Sequence, residues 1–199
     1  MSPKVVPKLK EITKDADVLV ISGDITSFDE KGFLDGFLAA LEKLPLPTLV
    51  VPGNNETPDF PVLPPVRNID GTRTSLEGVT FGGLGGSPPT PFNTPNEYTE
   101  DQLEAKLAKL GRVDVLVSHT PPWGTALDMG GRGDHLGSFS VRSYVLSQSA
   151  KLCLSGHVHE SKAVEMLGTC LCCNPGPASM GGYARITYGG RVKAELSLL

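Results

Sequence analysis

Nowhere does the sequence hold an apolar run approaching the roughly 20 residues that cross a bilayer, and its beginning lacks the charged-then-apolar pattern of an export signal. The expectation is a soluble, cytoplasmic protein without membrane contact. Positive charge is also short: the formal net charge is -4, so the chain has no general attraction for phosphate backbones, and a nucleic-acid partner is not indicated by charge. The Gly-x-Ser-x-Gly elbow that a serine hydrolase needs is missing, which removes that nucleophile. Cysteines number four. Cys170 and Cys173 have the gap of a zinc knuckle, yet no second pair completes a four-ligand site, so buried thiols are the better reading. Disulfides are not expected in a reducing compartment.

What the sequence does contain is a repeated pattern. At 199 residues, 39% hydrophobic and 20% charged, it has the size and balance of one globular domain spanning 1–199. The 23 glycines and 17 prolines are spread along it and imply many tight loops. Residues 152–160 read as a short apolar run, a glycine break, then His157 and His159 one residue apart. On an extended backbone such a pair points the same way and can address one ion or two neighbouring ones. Three further runs end similarly: 18–21 leads to Ser22-Gly23-Asp24, 48–51 to Pro52-Gly53-Asn54, and 113–117 to Ser118-His119. Each is the continuous β-branched or leucine-rich run of a strand buried on both faces. Ligands gather at the carboxyl ends of strands in open α/β sheets, so one polar site built from Asp24, Asn54, His119, His157 and His159 is expected.

The remaining chain fills in around those strands. Apolar residues at Val5, Leu9 and Ile12 predict a helix over 4–14, with Pro7 in its first turn. Ser27 and Glu30 form a capping-box pattern opening a helix that runs through Phe37 and Leu41 to Pro45. The strand, helix, strand order implies parallel pairing. Short strands are expected at 67–69, 72–76 and 79–84, an irregular loop over 88–98, and a helix from a Thr99/Gln102 capping box to Gly111. The Gly- and Pro-rich stretch after His119 suits a substrate loop that brings Arg132 or His135 to a phosphate, or an ordinary mobile loop. A helix over 141–148 follows, then antiparallel strands at 163–167, 170–173, 183–188 and 191–196, the last two joined at Gly189-Gly190. Mixed α and β, as two stacked sheets with outer helices, is the implied fold class.

Oxygen and imidazole donors without thiolate favour Mn, Fe, Co, Ni or Zn. A carboxylate such as Asp24 can bridge two ions about 3.5–4 Å apart, the spacing that clamps both oxygens of a phosphoryl transfer.

Gly23-Asp24, Gly53-Asn54-Asn55-Glu56, Ser118-His119 and Gly156-His157-Val158-His159, in that order, resemble the successive motifs of the calcineurin-like metallophosphoesterase superfamily. The likeness covers nearly the whole chain and is nearest to small prokaryotic phosphodiesterase-type members, whose chains also end in an Asn-Pro-Gly such as Asn174 to Gly176. It implies a β-sandwich flanked by helices and a site for two divalent transition metals (Mn, Fe, Ni or Zn). By that resemblance Asp24 bridges, Asn54, His119 and His157 complete the second metal, His159 binds the first, and a small phosphate ester is hydrolysed by metal-bound hydroxide. Two departures stand out. The family opens with a strand ending in Asp-x-His, and nothing before Asp24 has that form. The chain is therefore expected to be truncated relative to the family, or to hold one metal rather than two. At the position of a family histidine thought to protonate the leaving group stands Asn55, an amide that can bind phosphate but cannot act as a general acid, which turns the expectation toward phosphodiesters. A non-catalytic, protein-binding scaffold on the same fold is the alternative.

Overall fold

The computed structural model describes residues 5–26, 31–59 and 62–199. The expected first helix is shorter than 4–14: a 3-10 turn at Val6–Lys8 leads into α1 (Leu9–Ile12). It stops because Thr13 leaves helical geometry and turns its hydroxyl back to donate to the Leu9 carbonyl at 2.6 Å. The Ser27/Glu30 cap lies outside the described residues. Beyond it, α2 (Lys31–Leu41) connects β1 (Leu19–Ile21) to β2 (Thr48–Val50), and the two strands pair in parallel as the crossover requires. A third parallel strand, β3 (Val66–Asn68), completes this sheet in the order β1-β2-β3.

A six-stranded sheet forms the second layer. Its members are β4 (Arg73–Leu76), β5 (Val79–Leu84), β6 (Val115–Ser118), β7 (Leu152–Leu154), β8 (Ala163–Leu167) and β9 (Cys170–Asn174), in the order β4-β5-β6-β7-β9-β8. The inner four run parallel, with antiparallel strands at both edges. Helices α3 (Glu100–Leu110) and α4 (Phe139–Gln148) supply the returns to β6 and β7. The Thr99 capping box forms as expected, Thr99 accepting from the Gln102 N–H and the Gln102 side chain accepting from the Thr99 N–H. The last two strands, β10 (Gly182–Thr187) and β11 (Lys193–Leu198), make a separate antiparallel pair.

The strand alternation sorts the core into layers. Leu49 and Val51 from the first sheet meet Val115, Val117 and Leu152 from the second, forming the interior between them. Val50, Ile21 and Val66 point the other way, onto Phe37 and Leu41 of α2 and Leu9 of α1. Leu116, Cys153, Cys170 and Cys172 point away from the shared interior and pack on α3 and α4 through Leu103, Leu107, Val141 and Val145. The molecule is thus helix, sheet, sheet, helix. All four cysteines are free and buried. Burial pushes the Cys173 thiol up to about 12, so it stays protonated and is no metal ligand.

This layering turns the carboxyl ends of β1 and β2 in one sheet, and of β6 and β7 in the other, toward a common edge of the sandwich. Asp24, Asn54, His119 and His157 each follow one of those ends.

Candidate metal centre

The first two segments approach so closely that side chains are excluded between them. A Cβ on Gly23 would sit 2.5 Å from the Gly53 nitrogen and from Nδ1 of His119, and a Cβ on Gly53 would sit 2.0 Å from Oδ1 of Asp24. Glycine is the residue that permits this contact. Asp24 itself has φ 50° and His157 has φ 65°, left-handed geometry that an L-residue adopts at a cost of about 1–3 kcal/mol and that clusters at functional sites.

One ligand atom each from Asp24, His119 and His157 lies within 4.8 Å of the others. Asn54 stands between the two rings: its Oδ1 is 3.0 Å from Nε2 of His119 and 2.9 Å from Nδ1 of His157. Oδ2 of Asp24 is 3.5 Å from the same Nε2. His119 and Asn54 are buried, at 0% and 6% exposure.

The protons can be assigned by following the hydrogen bonds inward. Nδ1 of His119 donates to the Ser22 carbonyl at 2.7 Å, so in the neutral ring Nε2 carries only its lone pair. The Thr94 hydroxyl donates to Glu97, which leaves its oxygen to accept from Nδ2 of Asn54 at 3.0 Å. That fixes Oδ1 of Asn54 toward the rings. Burial pushes the Glu97 carboxyl up, but hydrogen bonds from Thr90 and Thr94 outweigh it and hold Glu97 at about 2, ionised throughout the physiological range. Desolvation, reinforced by His119, pushes the His157 imidazole down to about 3, so it is neutral near pH 7, the form that binds metal.

Nε2 of His119 thus points at the Asn54 amide oxygen and the Asp24 carboxylate, donor atoms that one cation could gather. The donor set, one carboxylate, one amide oxygen and two imidazoles, fits a divalent transition ion.

A second set of bonds holds the loops in place. Glu56, 3% exposed, accepts from the Gly53 N–H at 2.7 Å and from both the N–H and hydroxyl of Thr26 at 2.8 Å, clasping the β1 and β2 loops together. Nδ2 of Asn96 donates to the Gly53 carbonyl at 2.8 Å, and the Asn96 N–H donates to the Asn54 carbonyl at 3.2 Å. Thr94, Asn96 and Glu97 sit in the loop for which the sequence predicts only irregular structure. Glu56 is visible in the sequence within Gly53-Asn54-Asn55-Glu56, but its clasping role is not.

The other expected site residues fall around this cluster. Asn55 lines the cavity at its edge, and its backbone N–H donates to Oδ1 of Asp24 at 3.2 Å. His159 lines the same cavity but is exposed, and it is not one of the three residues whose ligand atoms converge within 4.8 Å. The pair does not stand on an extended strand: β7 ends at Leu154, and His157 has a left-handed φ of 65°. Arg132 is exposed on the loop after His119, beside Gly131, whose Cβ would come within 3.7 Å of Oε1 of Glu160. His135 donates from Nδ1 to the buried Asp128 at 2.8 Å. Asp128 also accepts from the N–H groups of Gly124, Thr125 and Gly137, so it is the hub of that loop.

A two-layer sandwich whose strand ends converge on an Asp, Asn and His cluster defines a metal-dependent phosphoesterase class. The chain belongs to the calcineurin-like phosphoesterase family, whose profile matches residues 3–161. It is 38% identical over 191 residues to an uncharacterized protein of Methanocaldococcus jannaschii, covering 90% of this chain and 86% of that one. A crystal structure with 23% identity superposes with a TM-score of 0.79, covering 98% of this chain and 94% of the other. Another, of a Thermus thermophilus protein 22% identical to this chain, gives a TM-score of 0.73 over 98% of this chain and 92% of the other. These two likenesses concern the fold.

Proposed function

We propose that the protein hydrolyses a small phosphodiester, using one divalent transition ion held by Asp24, Asn54, His119 and His157. The observation that carries this reading is the convergence of Nε2 of His119 and Nδ1 of His157 on Oδ1 of Asn54, with Oδ2 of Asp24 3.5 Å from the same Nε2. When bound, the ion neutralises charge on the phosphoryl oxygens and makes water nucleophilic near neutral pH. The chain's own groups orient that chemistry. Asn54 is locked by Thr94, His119 by the Ser22 carbonyl, and Asp24 by the Asn55 N–H. Asn55, half-buried at the cavity edge, can hydrogen-bond a phosphoryl oxygen but has no proton to give a leaving group. Diesters with good leaving groups are therefore favoured over unactivated monoesters.

Arg132, exposed on the loop after His119, is the cation we propose for the substrate's phosphate, while His135, committed to Asp128 through Nδ1, holds the loop. The free, buried cysteines suit a cytoplasmic setting. Metal identity is proposed as Mn, Fe, Ni or Zn on the donor chemistry alone.

The test is Mn-dependent hydrolysis of bis-p-nitrophenyl phosphate, compared with p-nitrophenyl phosphate. Turnover of the diester should exceed that of the monoester, and His119→Ala should lower it at least about hundredfold, because even indirect supports of a metal ligand are worth about 10–100-fold. Equal rates for the parent and His119→Ala would reject catalysis at this centre and favour the scaffold alternative.

A further inference from the structure

The helix-covered face of the six-stranded sheet carries donors that the metal centre does not use. By the alternation of a strand, Cys170 and Cys172 of β9 share that face while Cys173 points to the other. Cys172 is in register with Cys153 of β7 on one side and with Glu165 of β8 on the other. Side chains in register on neighbouring strands, about 4.8 Å apart, point the same way. Cys153, Cys172 and Glu165 therefore form one row across three strands, with Cys170 beside it on β9.

The three thiols are enclosed, each 1% exposed or less, among Leu167, Val141 and Val145. Glu165 is half-buried, and β8 is the outermost strand, so the thiols lie one strand in from the edge of the sheet. Hydrogen bonds from Cys153 and Cys170 outweigh burial and hold the Cys172 sulfur down to about 5, while donating to it pushes those two thiols up. The row thus presents one thiolate between two thiols. The charged side chain that acts on this thiolate, Glu165, is also negative. Both would be stabilised by a cation.

The donors select which cation. Thiolate sulfur is soft and suits Cu(I), zinc or an iron–sulfur cluster. Structural zinc takes four ligands in a tetrahedron, and a cluster takes four cysteines. Among the described residues, three ligand atoms gather within 4.8 Å only at Asp24, His119 and His157. The sulfurs therefore offer a row and not a cage, which suits an ion content with two thiolates in line.

We propose that Cys153 and Cys172 bind one cuprous ion between β7 and β9. Each coordinating sulfur still carrying a proton gives it to solvent, no electron is transferred, and the ion with its two thiolates carries one negative charge. The reducing setting that keeps all four cysteines free also keeps copper monovalent. Such an ion would staple β7 to β9. The first strand leads to His157, and the second ends at Asn174, whose Nδ2 donates to the Gly156 and Val158 carbonyls at 3.2 and 2.9 Å. The staple would thus brace the segment that carries His157. The inference does not depend on the phosphodiesterase reading.

The test uses the whole chain, kept in excess Mn and titrated anaerobically with Cu(I) against bicinchoninate, a coloured Cu(I) chelator. One equivalent should be withheld from the chelator, and X-ray absorption at the copper edge should show sulfur neighbours alone. Cys172→Ser should weaken retention at least hundredfold, whereas Cys173→Ser, on the opposite face, should leave it unchanged. Copper bound through nitrogen would overturn the proposal, as would equal retention by the parent and Cys172→Ser, or no retention by the parent. The absorption measurement is made on the parent chain, so it decides the matter even where a serine variant fails to fold. No outcome bears on hydrolysis of bis-p-nitrophenyl phosphate, so failure here and failure of the enzymatic reading are distinguishable.

Discussion

Thr94 bonds Asn54, and through that bond it decides which way the amide points. Its hydroxyl proton goes to Glu97, so its oxygen must take the amide hydrogen and Oδ1 must turn to the imidazoles. Thr94→Val keeps the shape and deletes both bonds. The amide is then free to flip and present Nδ2 to the metal. We expect Mn affinity, measured by calorimetric titration, to fall about 10–100-fold, the usual cost of losing a support behind a metal ligand. Asp24, Asn54, His119 and His157 are legible in the sequence because each ends a hydrophobic strand run, a signal confined to a few neighbouring residues. Thr94, Asn96 and Glu97 are not. These act from a loop without periodicity on partners distant in the chain, as the 40-residue separation of Asn54 and Thr94 shows. For His159 the spacing from His157 is legible, but the left-handed backbone at His157 is not.

Helix α4 begins against the start of α3, and Glu100 joins the two. Its carboxylate accepts from the Ser138 hydroxyl at 2.8 Å, the Phe139 N–H at 3.1 Å, and the Ser140 N–H at 2.9 Å and hydroxyl at 2.6 Å. An acid here satisfies donors that a helix start leaves open and complements its positive end. Burial raises the Glu100 carboxyl, but these bonds outweigh it and the net shift is downward. Glu97, just ahead of α3, is lowered from 4.5 to about 2. Both groups have folded values below their unfolded ones, so each stabilises the fold fully above pH 4.5 or so and loses that contribution as the pH falls, for Glu97 between 4.5 and about 2. Urea midpoints should therefore drop steadily through this acid window. Glu100→Gln should cost about 1–3 kcal/mol at pH 7 and less at pH 3, flattening the profile. Helix α3 itself is readable from its capping box and its Leu103, Leu107, Leu110 stripe. The tether from Glu100 to α4 is not, because it joins residues about 40 apart.

Two sheets and two helical layers meet at the centre without any one of them containing it. The β1 and β2 loops belong to one sheet, and the β6 and β7 loops to the other. On the proposed ligand set, an ion held by all four would tie the layers together and bind the folded state alone. A hundredfold excess over its dissociation constant adds about 2.7 kcal/mol. At about 2–4 °C per kcal/mol for a chain of this size, Mn should raise the melting temperature by roughly 5–11 °C, and a chelator should reverse the gain. His157→Ala should abolish the Mn shift, a result that differential scanning calorimetry reads without any substrate. The layer order is visible in the sequence through the alternation of strands and helices. That the described strands fall into sheets of three, two and six is not, because pairing depends on which edges find a neighbour.

Trp123 is the chain's single tryptophan. It stacks on Phe139 with ring centres 4.4 Å apart and stands 5.3 Å from the ring of His135, on the loop that follows His119. Its indole is thus a fluorophore fixed to the loop that Asp128 organises. Asp128→Asn should loosen that loop and shift Trp123 emission to longer wavelength, giving an optical gauge of the loop that needs no dye.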